Sequence, residues 1–228
     1  MVLGQARRSR HDPGRVEAFS DGVFSIAITL LVLEIGIPQV PPGESLWSAL
    51  ADQWPSYAAY VVSFLVIGIM WANHHTLFSY IGRVDRTLIF LNLLLLMVVA
   101  LLPWPTNLVA DYLDRGGSQA RVAVAVYSGV MVLASLAFTI FWWYATRSGR
   151  LLDPGVDADA ARATVPRFAL GLAVYPMTVG LAFVSPVLTL AVHGALAVYY
   201  AFTSSLCPTP TVSMRSRLFA GSLPALAT

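Results

Sequence analysis

Asp21, His74 and His75 are ionisable side chains set inside stretches of sequence otherwise suited to hydrocarbon. Asp21 stands in RVEAFSDGVFSIAITLLVLE, about a turn into a long apolar run. A carboxylate inside a membrane span costs about 2.5–3.5 kcal/mol even on lenient insertion scales, so it needs a partner or a function. Ser20 beside it, and Asn73, His74, His75 and Asn92 further along, are residue types that can supply one. Three chemistries are open to such a set: a structural hydrogen-bond network, a proton relay along Asp and His, or a metal or haem on the two histidines. Successive helical residues point about 100° apart, so His74-His75 does not present one chelating face. His193, alone in a later span, reads as a satisfied packing residue. The single Cys207 has no internal disulfide partner, and no CxxC or Cys/His cluster marks a metal site. No paired carboxylates on facing helices and no serine with a base beyond Ser20-Asp21 point to an enzyme.

These residues must be positioned by membrane helices. Of 228 residues, 57% are hydrophobic and 11% charged, with mean hydropathy +0.69; a soluble domain carries about 25% charged residues. The basic residues are all arginine, and a net charge of +2 is too small to argue for nucleic acid. Arg7, Arg8 and Arg10 before an apolar run resemble the start of a signal peptide. However, that run holds Asp21 and Glu34, exceeds the length of a signal core and lacks a cleavage site, so it reads as a retained helix. The class is an all-α polytopic integral membrane protein.

With about 20 apolar residues needed per crossing, six spans are predicted: 16–37, 54–79, 88–108, 122–146, 165–184 and 187–206, the last two separated by the Ser185-Pro186 corner. The chain then divides into an arm (1–15), a six-helix membrane domain (16–206) and a tail (207–228) containing Pro, Ser and Thr. Arginines orient it. Arg7, Arg8, Arg10, Arg15, Arg83, Arg86, Arg147, Arg150, Arg162, Arg167, Arg215 and Arg217 all fall on one side of six spans, against Arg115 and Arg121 on the other. Both termini are therefore expected in the cytoplasm, with the protein multi-pass in the cell membrane. Pro38, Pro41 and Pro42 predict a stiff first outer loop, and residues 153–161 a short polar inner one.

At about 1.5 Å per residue, Ser20 and Asp21 on the first helix, Asn73, His74 and His75 on the second and Asn92 on the third reach a similar depth. Buried polar groups need partners where water is absent, so one shared layer is expected. The first helix also has another side. Ile26, Leu30 and Leu33 lie within about 40° of one another, with Thr29 at the edge and Phe19 and Gly22 continuing the stripe, while Asp21 lies about 140° away. By periodicity alone this apolar face meets lipid or another subunit.

Three motifs, in order, carry a family resemblance. Arg15-x-x-x-Phe19-Ser20-Asp21 opens the first helix, Trp71-Ala72-Asn73-His74-His75 with Leu77-Phe78 lies in the second, and Asn92 followed by four leucines with Leu101-Leu102-Pro103-Trp104-Pro105-Thr106 lies in the third. Together they closely resemble the transmembrane protein 175 family of potassium channels, over residues 15–106. The resemblance implies a homotetramer in the lipid bilayer with four first helices around a central pore, potassium as the permeant ion and no cofactor. It implies Ile26 as the narrowest ring and gate, followed by Thr29 or Leu30 and then Leu33. Thr29 would be a selectivity residue giving modest preference over sodium, and Glu34 would attract cations at the outer mouth. Arg15, Phe19, Ser20, Asp21, Asn73, His74, His75 and Asn92 would brace the pore helix, and Asp21→Ala is expected to harm assembly or folding more than selectivity. No TVGYG-like loop is present for carbonyl selection. The rival reading is a proton-coupled transporter using the Asp21/His74 layer, although the spans are not paired as broken halves.

Overall fold

The computed structural model describes residues 12–40 and 42–204, without the side chains of 167, 168 and 201–204. Residues 1–11 of the arm, the tail 207–228, Cys207, Arg215 and Arg217 lie outside it.

Each helix starts where a cap or a proline allows. Helix α1 (Pro13–Leu30) begins three residues before the predicted span, because Asp12 accepts the Gly14 N–H at 3.0 Å and Pro13 needs no hydrogen-bond acceptor there. It tightens into a 3₁₀ turn, Leu31–Glu34. Helix α2 (Leu46–Asp52), capped by Ser45, occupies part of the first outer loop, for which the prolines predicted only a stiff piece and no helix. Seven residues with Leu46 and Trp47 exposed leave no periodic apolar face to read.

Helix α3 (Trp54–Ser79) has the bounds predicted for it. The third predicted span is two helices, α4 (Arg86–Leu101) and α5 (Pro103–Tyr112), because Pro103 and Pro105 cannot donate backbone hydrogen bonds. Asp85 starts α4 by accepting the Leu88 N–H at 2.9 Å. Helix α6 (Gly117–Thr146) follows, then α7 (Ala158–Ala163), which Asp157 caps within the expected polar loop. Helices α8 (Val165–Ala182, with Pro176 inside) and α9 (Pro186–Ser204) flank the Ser185-Pro186 corner, where Ser185 Oγ accepts the Leu188 N–H at 3.3 Å.

Among the described residues, four segments are long and apolar enough to cross a membrane: Pro13–Glu34, Trp54–Ser79, Arg86–Tyr112 and Gly117–Thr146. Ala169–Ala182 and Pro186–Tyr200 are shorter apolar helices. The molecule is an all-helical integral membrane protein.

Helix α6 is the central post, packed by α4, α5 and α8 and carrying the buried Tyr127, Met131, Phe141 and Trp142. Helix α3 packs against α1, α5 and α9. Helix α1 leans on α3 and α4 through Ser20, Phe24, Ala27 and Leu31, spaced at i, i+4, i+7 and i+11. Only 22% of its most apolar window is buried, against 56% for α6, so most of α1 is free to meet something else. At one end of the bundle the turn after α3 is bound to the segment after α6. Gly82 N–H donates to the Leu151 carbonyl at 2.9 Å and Asp153 N–H to Tyr80 at 2.9 Å. A side chain at Gly82 would stand 2.8 Å from Asp153 Cα, which explains a glycine at this approach.

Candidate functional site

The polar residues of α1, α3 and α4 resolve into two groups rather than one layer. The inner group is a directed line. Asn92 Nδ2 donates to Ser20 Oγ at 2.9 Å, and Ser20 donates in turn to the Val16 carbonyl at 2.9 Å. With the amide oriented that way, Asn92 Oδ1 faces His74 Nε2 at 2.8 Å, and since an oxygen can only accept, Nε2 carries the proton. Among the described residues, Nδ1 of His74 has no hydrogen-bond partner. Phe78, Phe24 and Phe141 surround the imidazole at 4.6, 5.3 and 6.1 Å between ring centres. Ser20, His74 and Asn92 are all buried. The line pins three helices together at one depth, and Asn92, in its middle, has no ionisable proton to pass on.

The outer group is a rim. Trp71 Nε1 donates to Asp21 Oδ1 at 2.9 Å, the Trp71 ring stacks on His75 at 5.9 Å, and His75 Nδ1 lies 2.8 Å from Glu17 Oε1. Glu17 and Asp21 are four apart on α1, as Trp71 and His75 are on α3, so two matching faces zip together. That complementary spacing was the signal for Glu17 and Trp71, which were not among the predicted site residues. Asp21 is therefore on the half-exposed rim, and the buried anchor is Ser20.

Of the remaining predicted residues, Asn73 stands apart from both groups, while Arg15 and Phe19 border the inner one. Asn73 lines a cavity of about 70 Å³ with Met70, Met131 and Tyr175, between α3, α6 and α8. Successive positions on a helix diverge by about 100°, so Asn73, His74 and His75 face three directions. Arg15 and Phe19 line an open hollow of about 410 Å³ with Asp12, Val16, Ile89, Asn92 and Leu93, where α1 meets α4, so this hollow borders the Asn92 end of the polar line. Among the described residues Arg15 makes no ion pair.

On its other side α1 exposes Phe19, Ile26, Thr29, Leu30 and Leu33; Ile26 is 61% and Leu33 72% accessible. The neighbouring positions Ala27 and Leu31 are buried, so the exposure belongs to one face rather than to a loose helix. Thr29 Oγ1 donates its proton to the Ile26 carbonyl at 2.9 Å, which leaves the oxygen lone pairs directed away from the helix. Past the 3₁₀ turn, Asn107 Nδ2 donates to Glu34 and Gln53 Nε2 to the Gly36 carbonyl at 2.9 Å, fixing this end of the stripe. His193 belongs to a separate buried cluster, bonded to Ser128 at 2.9 Å and stacked on Tyr175 at 5.6 Å.

Residues 15–103 match the model of a protein family described as "Endosomal/lysosomal potassium channel TMEM175". The chain is 64% identical over 199 residues to a protein named as a potassium channel from Streptomyces collinus, covering 87% of this chain and 96% of that one. It is 43% identical over 196 residues to a second so named, from Chamaesiphon minutus, covering 85% of this chain and 96% of that one. A solved structure described as a lysosomal potassium-selective channel TMEM175 homolog from Chamaesiphon minutus superposes with a TM-score of 0.75. It is 41% identical and covers 84% of this chain and 97% of its own.

Proposed function

We propose that this chain, which belongs to the TMEM175 family, is the subunit of a potassium channel in which four copies set α1 around a central pore. Helices α8 and α9 complete six crossings with α1, α3, α4–α5 and α6, and both termini face the cytoplasm of the cell that carries the protein in its membrane. The arginine distribution supports that orientation.

The observation that carries the reading is the accessible apolar face of α1, Ile26 with Leu30 and Leu33, on a helix whose opposite face is fastened by Ser20 and Asp21. Four such faces around an axis make a collar of side chains with no carbonyl filter. Ile26 is its narrowest ring. A narrow apolar collar expels water, and a hydrated ion passes only when the ring widens, so the same residues gate and filter. Thr29 presents a ring of hydroxyl oxygens, already aligned as acceptors, to a partly dehydrated cation. This favours potassium modestly over sodium, whose dehydration costs more. Glu34 gathers cations at the outer mouth. The polar line and rim brace the pore helix and take no part in permeation. No step requires a catalytic residue or a cofactor. A proton-coupled transporter would need its ionisable line open to a cavity, whereas His74 is enclosed by three phenyl rings.

The test is flux in liposomes loaded with a potassium- or sodium-sensitive dye. Potassium should enter down its gradient several times faster than sodium, without a proton gradient. Failure of both ions to pass, with the protein shown to be inserted and tetrameric, would overturn the channel reading.

A further inference from the structure

At the end of the bundle where α6 stops and α4 starts, Arg86 and Arg147 are among the arginines that form no ion pair with the described residues. Arg147 follows the last turn of α6, its guanidinium 5.2 Å from the centre of the Trp143 ring and 5.5 Å from that of Tyr144. Arg86 opens α4, 5.6 Å from the centre of the Phe90 ring. One contact links the two sites: the Tyr144 hydroxyl donates to Asp85 Oδ2 at 2.9 Å, and Asp85 immediately precedes Arg86. The other Asp85 oxygen accepts the Leu88 N–H at 2.9 Å, so the carboxylate is held by the α4 N-terminus and Tyr144 and forms no ion pair with either arginine. Among the described residues the ion pairs are His75 with Glu17 and Arg162 with Asp159, and neither involves Arg86 or Arg147. Both arginines are exposed, and so are Trp143 and Phe90, each one turn further into its helix from the charge beside it.

A guanidinium held by a ring face keeps its in-plane N–H donors available. Two of them, above two exposed rings at a membrane boundary, present donors where headgroups lie and apolar surface where acyl chains begin. We propose that Arg86 and Arg147 bind the phosphodiester of an anionic phospholipid whose first acyl methylenes lie on Trp143 and Phe90. The guanidinium fork matches phosphate oxygens two at a time, and among the described residues the neighbouring carboxylate, Asp85, is ion-paired to neither arginine. A soluble phosphate shares the headgroup chemistry, but it would leave the two rings uncovered. The site goes beyond ion conduction and does not depend on it: lipid can bind here whether or not the protein passes potassium.

The experiment titrates the purified full chain in detergent with dioctanoyl phosphatidylglycerol, reading bound lipid by native mass spectrometry. Dioctanoyl phosphatidylcholine and inorganic phosphate serve as parallel probes. At about fivefold per arginine near a membrane surface, the double substitution Arg86→Gln with Arg147→Gln should weaken phosphatidylglycerol binding roughly 25-fold. Arg121→Gln, an exposed arginine at the opposite end of α6, should leave it unchanged. Phosphatidylcholine should bind far more weakly than phosphatidylglycerol. If the glutamine pair does not fold, Arg86→Lys with Arg147→Lys keeps the charge and loses the fork, and should still weaken binding several-fold. Parent-like affinity in the folded variant, an equal loss on Arg121→Gln, or inorganic phosphate binding as tightly as the lipid would each overturn the proposal.

Discussion

Ile26→Trp is expected to reduce potassium flux at least tenfold while leaving the subunit folded. Ile26 is 61% accessible within its own chain, so an indole there disturbs no intrasubunit packing, and exposed substitutions of this kind usually stay within about 0.5 kcal/mol. Four indoles at the narrowest ring of a collar would fill it, and a rise of only about 1.4 kcal/mol in the barrier already slows passage tenfold. The adjacent position gives the contrast. Ala27 is 1% accessible, and Ala27→Trp overpacks the seam with α3 and α4, at a cost of at least 1–3 kcal/mol by the usual order of magnitude (about that range for added bulk in a packed core). Dye flux in liposomes together with size-exclusion profiles separates the two: Ile26→Trp should elute as the parent and not conduct, whereas Ala27→Trp should lose the monodisperse peak. Parent-like flux through Ile26→Trp would place that residue against lipid, away from the pore.

Asn92→Leu should be among the most destabilising single changes in the membrane core, and a second substitution should repair it. The leucine removes the acceptor of the His74 Nε2 proton, and His74 Nδ1 is already unpartnered, so the imidazole would be left buried with no hydrogen bond at all. A buried donor left unpaired costs about 1–3 kcal/mol, equivalent to roughly 3–10 °C in thermal midpoint for a chain of this size. Adding His74→Phe removes the stranded group and puts a phenyl ring into a setting already made by Phe24, Phe78 and Phe141. The double variant should then return to within about 1 kcal/mol of the parent, because replacing both partners with apolar groups avoids the desolvation penalty. Thermal unfolding of the parent, both single variants and the double variant completes the cycle. A double variant as unstable as Asn92→Leu alone would mean that the line contributes through packing rather than through satisfied hydrogen bonds. On the rim, Asp21→Asn should cost less than Asn92→Leu, since Asp21 is only half-buried and an asparagine oxygen there can still accept the Trp71 N–H.

The membrane class was legible from composition, and the helices from the lengths of the apolar runs: α3 has its predicted bounds and the corner between α8 and α9 falls at Ser185-Pro186. The stripe on α1 was legible too, because a period of 3.6 is a local property that a helix cannot help expressing. The third predicted span is one crossing, Arg86–Tyr112, and hydropathy carries no information about the missing backbone donors at Pro103 and Pro105 that divide it into α4 and α5. The capped helices α2 and α7 are too short to show any period.

Which polar side chains would meet was not a local property. Depth along the membrane normal placed Ser20, Asp21, Asn73, His74, His75 and Asn92 at one level, but depth is a single coordinate, and contact also needs the rotation of each helix about its axis. That rotation is set by packing: Phe24, Ala27 and Leu31 seat α1 against its neighbours, which turns Ser20 inward toward Asn92 and leaves Asp21 on the rim with Trp71. The same rotation sends Asn73 into a different crevice from His74. The sequence alone thus determined that the chain lives in lipid, where its long apolar stretches lie and which face of α1 is oily. The tertiary structure decided which partner each buried polar group takes, because long-range packing, and no nearest-neighbour preference, fixes the angle at which one helix faces another.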